Sequence, residues 1–204
     1  MTAAVYTVGH STQSAARFIQ LLTRNEISAV ADVWSQPYSR MNPQFNREAL
    51  RAALKEIAIA YVFLGRELGA RSSDKSCYIN GKVQYDRLAQ TSLFREGLDR
   101  VEQGLSKHRI ALMCAEKDPL TCHRSILICR HLIARNIGVQ HIVGDGRLES
   151  HDDALARLLQ ELKIEQSDLF RNQNELVAEA YTQRGEQIAY VEKPTLEALN
   201  RAPR

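Results

Sequence analysis

Five short apolar, β-prone runs alternate with segments whose apolar residues recur at helical spacing, and this alternation sets the narrowest limit on how the 204-residue chain can fold. The runs are Ala4 to Val8, Ile27 to Val33, Ala60 to Leu64, Arg109 to Cys114 and Val139 to Val143. Between the first two, Ala15, Ala16, Phe18, Ile19, Leu21 and Leu22 mark a helix; further helices are expected from Asn46 to Ala58, Tyr85 to Gln90, Leu93 to Ser106, from Thr121 or Asp118 onward, and from Ser150 to Leu162. Strands alternating with helices over short connections predict an α/β single domain, with a mostly parallel sheet of about five strands flanked by helices. The near-continuous apolar run Ile27 to Val33 fits a strand covered on both faces.

This pattern accounts for residues 1–163. Residues 164–204 are expected to form a C-terminal appendage: a helix over Leu169 to Tyr181 ended by Gly185, an added strand over Gln187 to Val191, and a proline-marked tail. The charge divides at the same place, with 22 Lys and Arg against 17 Asp and Glu before it and 5 against 7 after it. A small anionic ligand is therefore expected on the main body, and nucleic acid has only this mild positive balance behind it. No apolar run approaches the roughly 18 residues of a membrane span, and the first residues lack a signal peptide's basic flank and apolar run. A cytoplasmic location follows as the expectation, and in a reducing compartment Cys77, Cys114, Cys122 and Cys129 are free thiols rather than a disulfide framework.

In sheets of this kind ligands bind outside the carboxyl ends of the strands. The first end carries His10 and Ser11, suited to orienting or donating to a substrate oxygen, although Ser11 or Thr12 equally suits a helix cap. The second carries Asp32 and, in the loop beyond it, Ser35, Ser39 and Arg40, which have the chemistry of an anion clamp. The fourth holds the densest cluster, Cys114, Glu116, Cys122, His123 and Arg124. A helix opening at Thr121 or Asp118 would put Cys122 at its N-terminus beside His and Arg, where a thiol loses its proton more easily. Cys129 falls among Ile126, Leu127 and Leu132 and reads as core, and Cys77 has no partner in its loop.

The chain lacks the glycine-rich signatures of P-loop and dinucleotide-binding proteins, the nucleophile elbow and C-x-x-C. A cysteine phosphatase or rhodanese would place Arg six residues after the strand-end Cys, and that position is Leu120. No cofactor is called for. Zinc or iron would draw on Cys114, Cys122, His123 and His10, but C-x₇-C-H matches none of the usual zinc spacings.

Thr7-Val8-Gly9-His10-Ser11, Asp32-Val33, Pro37-Tyr38-Ser39, Asn42 to Asn46, Glu67-Leu68-Gly69, and above all Cys114-Ala115-Glu116 with Cys122-His123-Arg124, together resemble the bacterial and archaeal family called domain of unknown function 488. The resemblance spans residues 3–162 and marks the C-x-E and C-H-R groups as the signature, without bringing a reaction. Where the family usually has Arg after Asp-Val this chain has Trp34, which leaves Arg40 to serve or part of the site lost.

The expectation is a cysteine-dependent hydrolase or transferase acting on a small anionic, nucleotide-like substrate. Cys122 is its nucleophile or redox thiol, His123 its base or proton donor, Arg124 and Arg40 its anion binders, and Cys114 a resolving thiol. Glu116 and Asp32 act as acid–base or orienting groups. The rivals are a non-catalytic metal-binding or thiol redox-sensing module and a nucleic-acid-associated domain.

Overall fold

Six strands form one sheet in the order β3-β2-β6-β1-β7-β8 in a computed structural model that describes residues 4–165 and 171–192. In sequence these are β1 (Ala4–Gly9), β2 (Ala29–Asp32), β3 (Ala60–Phe63), β6 (Ile110–Cys114), β7 (Gly138–Ile142) and β8 (Leu148–Ser150), with a separate hairpin of β4 (Tyr78–Ile79) and β5 (Lys82–Val83). All pairings in the large sheet are parallel except β7 with β8. The sixth strand adds an antiparallel edge to the expected five. It is three residues long and follows the Gly144-Asp145-Gly146-Arg147 turn, too short to carry a periodicity of its own.

Two layers of helices bury the faces. Phe18, Leu21 and Leu22 of α1 (Ala15–Arg24) and Leu50 and Leu54 of α2 (Arg47–Glu56) pack on Val8, Val30, Ala111 and Met113. Phe94, Leu98 and Val101 of α4 (Ser92–Leu105) share the opposite core with Ala31, Leu112 and Cys114. Successive strand residues point to opposite faces, so Met113 and Cys114 part company, and Cys114 joins Cys122, Leu127 and Ile128 on the α4 side. The chain winds outward from β1 through β2 to β3, then returns to place β6 beside β1 before continuing to β7 on the other side. The winding therefore reverses between the ends of β1 and β6, where open α/β sheets build ligand sites.

Ser14, rather than Ser11 or Thr12, caps α1: its side chain accepts from the Arg17 amide. Ser150 caps α6 (His151–Glu161) as its sequence position suggests. The last helix, α7 (Gln173–Ile188), starts with a capping box in which Asn172 and Glu175 bond each other's amides. It runs through Gly185 instead of ending there, and the strand expected over residues 187–191 shrinks to a single bridge between Val191 and Lys82. The start expected at Leu169 and the proline-marked tail lie outside the described residues. Leu176, Ala180 and Tyr181 of α7 pack on Ala154, Leu158 and Leu159 of α6. No helix among the described residues is long and apolar enough to cross a membrane.

Under this helix lies a buried polar chain. His141 Nδ1 is 2.8 Å from Thr7 Oγ1, its Nε2 is 3.0 Å from His151 Nδ1, and His151 Nε2 is 2.6 Å from the Tyr181 hydroxyl. Burial pushes His141 down to about 3 and His151 to about 4. Both rings are neutral at physiological pH, each passing one hydrogen bond along the chain.

Candidate functional site

The cluster at the end of β6 depends on a close approach of backbone to backbone. The His10 amide donates to the Cys114 carbonyl and the Ser11 amide to the Ala115 carbonyl, both at 2.9 Å, continuing the β1–β6 ladder past the strand ends. The next turn of the loop lies directly over Gly9, where a Cβ would stand 2.0 Å from the Glu116 carbonyl oxygen. That oxygen has little room to retreat, because Arg124 Nη1 donates to it at 2.8 Å. Gly9→Ala is therefore expected to lose about 3 kcal/mol, whereas Gly144→Ala, whose Cβ would meet only the flexible end of Lys117 at 3.1 Å, serves as a near-neutral control. Denaturant midpoints measure both, and equal midpoints would remove the argument for Gly9.

From Glu116 the chain makes a 3₁₀ turn at Pro119–Thr121, capped by Asp118, whose carboxylate accepts from the Leu120 amide at 2.9 Å. Arg157 grips the same carboxylate with two donors at 2.9 and 3.1 Å and bonds Glu149 with two more. The helix expected to begin here does not include Cys122, which is extended (φ −132°, ψ 139°); a π-helix follows over Arg124–Cys129 and runs into α5 (Arg130–Ile133). Cys122 thus stands at the N-cap of the helical run that starts at His123, its carbonyl accepting from the Ser125 and Ile126 amides at 3.1 and 3.2 Å, beside the first turn rather than inside it. Single-turn π segments recur at functional sites, and this one follows directly on the signature residues.

Four side chains converge in the space so formed. The Cys114 and Cys122 sulfurs each lie 3.0 Å from Glu116 Oε2, within hydrogen-bond distance, and His123 Nδ1 lies 3.9 and 3.8 Å from the two sulfurs. All four donor atoms fall within 4.8 Å of one another. Both cysteines are 1% exposed, and Glu116 is exposed as a residue while its carboxylate turns inward to the sulfurs. His123 Nε2 is 3.1 Å from the Val33 carbonyl, which can only accept. Its N–H is thereby committed there, and Nδ1 is left facing the thiols.

The two thiols are driven apart electrostatically. Burial pushes Cys114 up, reinforced by its hydrogen bond to Cys122. Burial would raise Cys122 as well, but the Cys114 thiol, the Arg124 guanidinium and His123 outweigh it and hold Cys122 well below the usual thiol range. The Cys122 charge in turn keeps His123 up against its own burial, and burial pushes Glu116 up, with Cys122 adding to it.

The remaining expected site residues lie outside the four converging groups. Asp32 is fully buried beside this cluster; its Oδ1 accepts from the Trp34 amide at 3.0 Å and its Oδ2 from the Tyr61 hydroxyl at 2.6 Å, while burial pushes its carboxyl up to about 6. His10 is 2% exposed, stacked on Phe45 at 4.3 Å and tilted against Trp34 at 5.2 Å; it is not among the four converging groups, and Glu116 stands where His10 was expected as a ligand. The His10 Nδ1 bonds the Ser11 carbonyl at 2.9 Å, and its Nε2 is buried without a hydrogen-bond partner.

Ser11 adopts a positive φ of 48° at the turn. The anion clamp expected from Ser35, Ser39 and Arg40 does not assemble. Ser35 Oγ accepts from the Arg71 amide, Ser39 Oγ accepts from the Met41 and Asn42 amides, and Arg40 is exposed on its loop. Arg124 is 1% exposed; its Nη1 and Nη2 donate to the Glu116 and Lys117 carbonyls and position the loop from beneath, while its Nε is buried without a hydrogen-bond partner. Sequence reading missed Arg157, Tyr61 and the Val33 carbonyl, all distant in sequence from the groups they hold.

Two sulfurs, one imidazole nitrogen and one carboxylate oxygen are a zinc-type donor set. Bond lengths of about 2.3 Å to sulfur and about 2.0 Å to nitrogen or oxygen imply tetrahedral edges of about 3.5 Å. The sulfur–nitrogen edges here are 3.8 and 3.9 Å and the sulfur–oxygen edges 3.0 Å, so small rotations of side chains fit the four groups to one ion. The carbonyl behind His123 is the outer partner that fixes a ligating imidazole.

Comparison with curated proteins and with solved structures gives no match. A family model, described as Domain of unknown function DUF488, matches residues 14–130, which is 117 of the 204 and takes in the whole turn from Cys114 to Arg124. By that match the chain is a member of the DUF488 family.

Proposed function

We propose that the chain is a metal-dependent module, in which Cys114, Glu116, Cys122 and His123 hold one zinc-class ion at the carboxyl ends of β1 and β6. The observation that carries this reading is the convergence of four ligand atoms within 4.8 Å, with both thiols buried. A buried point of this size suits an ion better than a substrate carbon approaching a sulfur. Glu116, on the solvent side, would be the ligand able to give way to a substrate oxygen or sulfur, leaving the open position that a catalytic zinc site needs. The ion would act as a Lewis acid there, while Arg124 and Arg157 keep the loop in place and Asp32 holds the Trp34 turn beside it.

Elemental analysis of protein purified without chelator tests the proposal. About one zinc-class ion per chain is expected, lost in Cys122→Ser and His123→Ala, with both site thiols resistant to iodoacetamide until the ion is stripped. A second reading, Cys122 as a free nucleophile toward a small anionic substrate, has the low Cys122 thiol in its favour. Protein that binds no added zinc, yet alkylates at Cys122 with a midpoint well below about 8.5, would favour that reading and sink the metal.

A further inference from the structure

A cavity of about 740 Å³ lies between the β4–β5 hairpin, the helix α3 (Tyr85–Ala89), the π-helix with α5, and α7. This is the size range of sites for small organic ligands. We propose that it binds a small phosphorylated compound bearing a planar ring, the class to which nucleoside monophosphates belong. This goes beyond the metal reading and does not depend on it.

Three observations carry the proposal. Lys82, Arg87 and Arg130 line the cavity against Asp86 and Glu186, so the cations are in excess. Tyr85 and Tyr181 contribute aromatic walls. The Arg130 guanidinium lies 5.1 Å over the Tyr181 ring, and the Tyr181 hydroxyl is anchored by His151 at 2.6 Å, which holds the ring in position.

The third observation is Gly185. Glycine inside a helix costs about 1 kcal/mol relative to alanine, and Gly185 sits within α7 with ordinary helical continuity on both sides. Packing does not demand it: a Cβ there would meet Tyr85 at 3.4 Å and Ile126 at 3.8 Å, ordinary contacts, and both neighbours line the cavity. Gly185 is itself one of the lining residues, so a side chain there would stand at the cavity wall beside Tyr85 and Ile126. The cavity also adjoins the cysteine cluster, because Tyr85 lines it and the charges of Cys122, Glu116 and Cys114 act on the Tyr85 hydroxyl. The C-terminal helix thereby acquires a role as one wall of a ligand site.

The test is isothermal titration of the full chain, metal-free and zinc-loaded, with the adenosine, guanosine, cytidine and uridine monophosphates, and with inorganic phosphate as the ringless control. Saturable binding of at least one nucleotide is expected, at least tenfold tighter than phosphate. It should weaken at least tenfold in Arg130→Gln and vanish in Gly185→Leu, whose side chain fills the cavity while improving the helix. Unchanged melting temperatures establish that both variants are folded. The proposal is overturned if the wild-type chain binds none of the four at millimolar concentration, or if Gly185→Leu binds as the wild type does. Loss of binding in both metal states leaves zinc content intact and so fails separately from the metal reading.

Discussion

Replacing Arg124 with Met is expected to lower stability by about 3–5 kcal/mol, because it strips a buried charge from groups that were folded around it. The guanidinium donates to the Glu116 and Lys117 carbonyls at 2.8 and 3.2 Å and is 1% exposed. Methionine matches much of the volume but supplies no donor, so two loop carbonyls lose their partner and the negative charge shared by Cys122 and Glu116 loses its counterion. The loop that presents Glu116 then loosens, and Cys122 loses one of the influences that lowers it. Arg124→Lys should be intermediate, since a single ammonium cannot span both carbonyls with a planar fork. Urea unfolding gives the cost and the pH dependence of thiol alkylation gives the shift. A Met variant within about 1 kcal/mol of wild type, with Cys122 unmoved, would mean that Arg124 is a passenger.

The second large effect is a loss of stability in acid through His141 and His151. Both are buried and neutral, with folded values of about 3 and about 4 against an ordinary 6.5. Above 6.5 the folded and unfolded states bind the same number of protons at these rings. Below it the unfolded chain takes up protons that the folded chain refuses, so stability falls with pH until the folded values are reached. Each ring contributes up to about 1.4 kcal/mol per pH unit, so the pair amounts to roughly 4–5 kcal/mol between pH 6.5 and 4.5. His151→Gln, which keeps a donor and an acceptor in the chain from Thr7 to Tyr181, should remove about half of that slope. Equal slopes in the variant and the wild type, measured as urea midpoint against pH, would contradict the assignment.

The parallel sheet was legible because its five parallel strands are apolar runs bounded by turn residues; β2 and β6 are buried on both faces, while the edge strand β3 keeps the apolar run although it is partly exposed. The strand-end placement of Cys114 and His10 followed from the same rule, since Cys114 ends β6 and His10 follows β1. What stayed hidden depended on partners remote in sequence. Asp118 looked like a helix cap and is one, but the turn it caps lasts three residues before Cys122 breaks it, with Arg157 holding Asp118 from α6. Arg124 looked like an anion binder because an arginine beside a cysteine and a histidine suggests one. Only the fold reveals that two carbonyls of its own loop occupy its Nη1 and Nη2.

His10 and Glu116 exchanged places for a similar reason. The sequence offered both as chemistry at neighbouring strand ends, and the Ser11 carbonyl and Phe45 ring hold His10 where they find it. Gly185 misled because a glycine near a helix end usually terminates it. Here α7 continues for three more residues, and the glycine opens onto a cavity instead.

Cobalt(II) titration of the metal-free chain tests the central claim most directly, because cobalt occupies zinc sites and thiolate ligands announce themselves by a charge-transfer absorption. The account predicts saturation at about one cobalt per chain with tetrahedral ligand-field bands. The charge-transfer intensity should fall by about half in Cys114→Ser, which keeps the Cys122 thiolate, and disappear with the ion in Cys122→Ser and in the double variant. No charge-transfer band in protein whose thiols are fully reduced would contradict it.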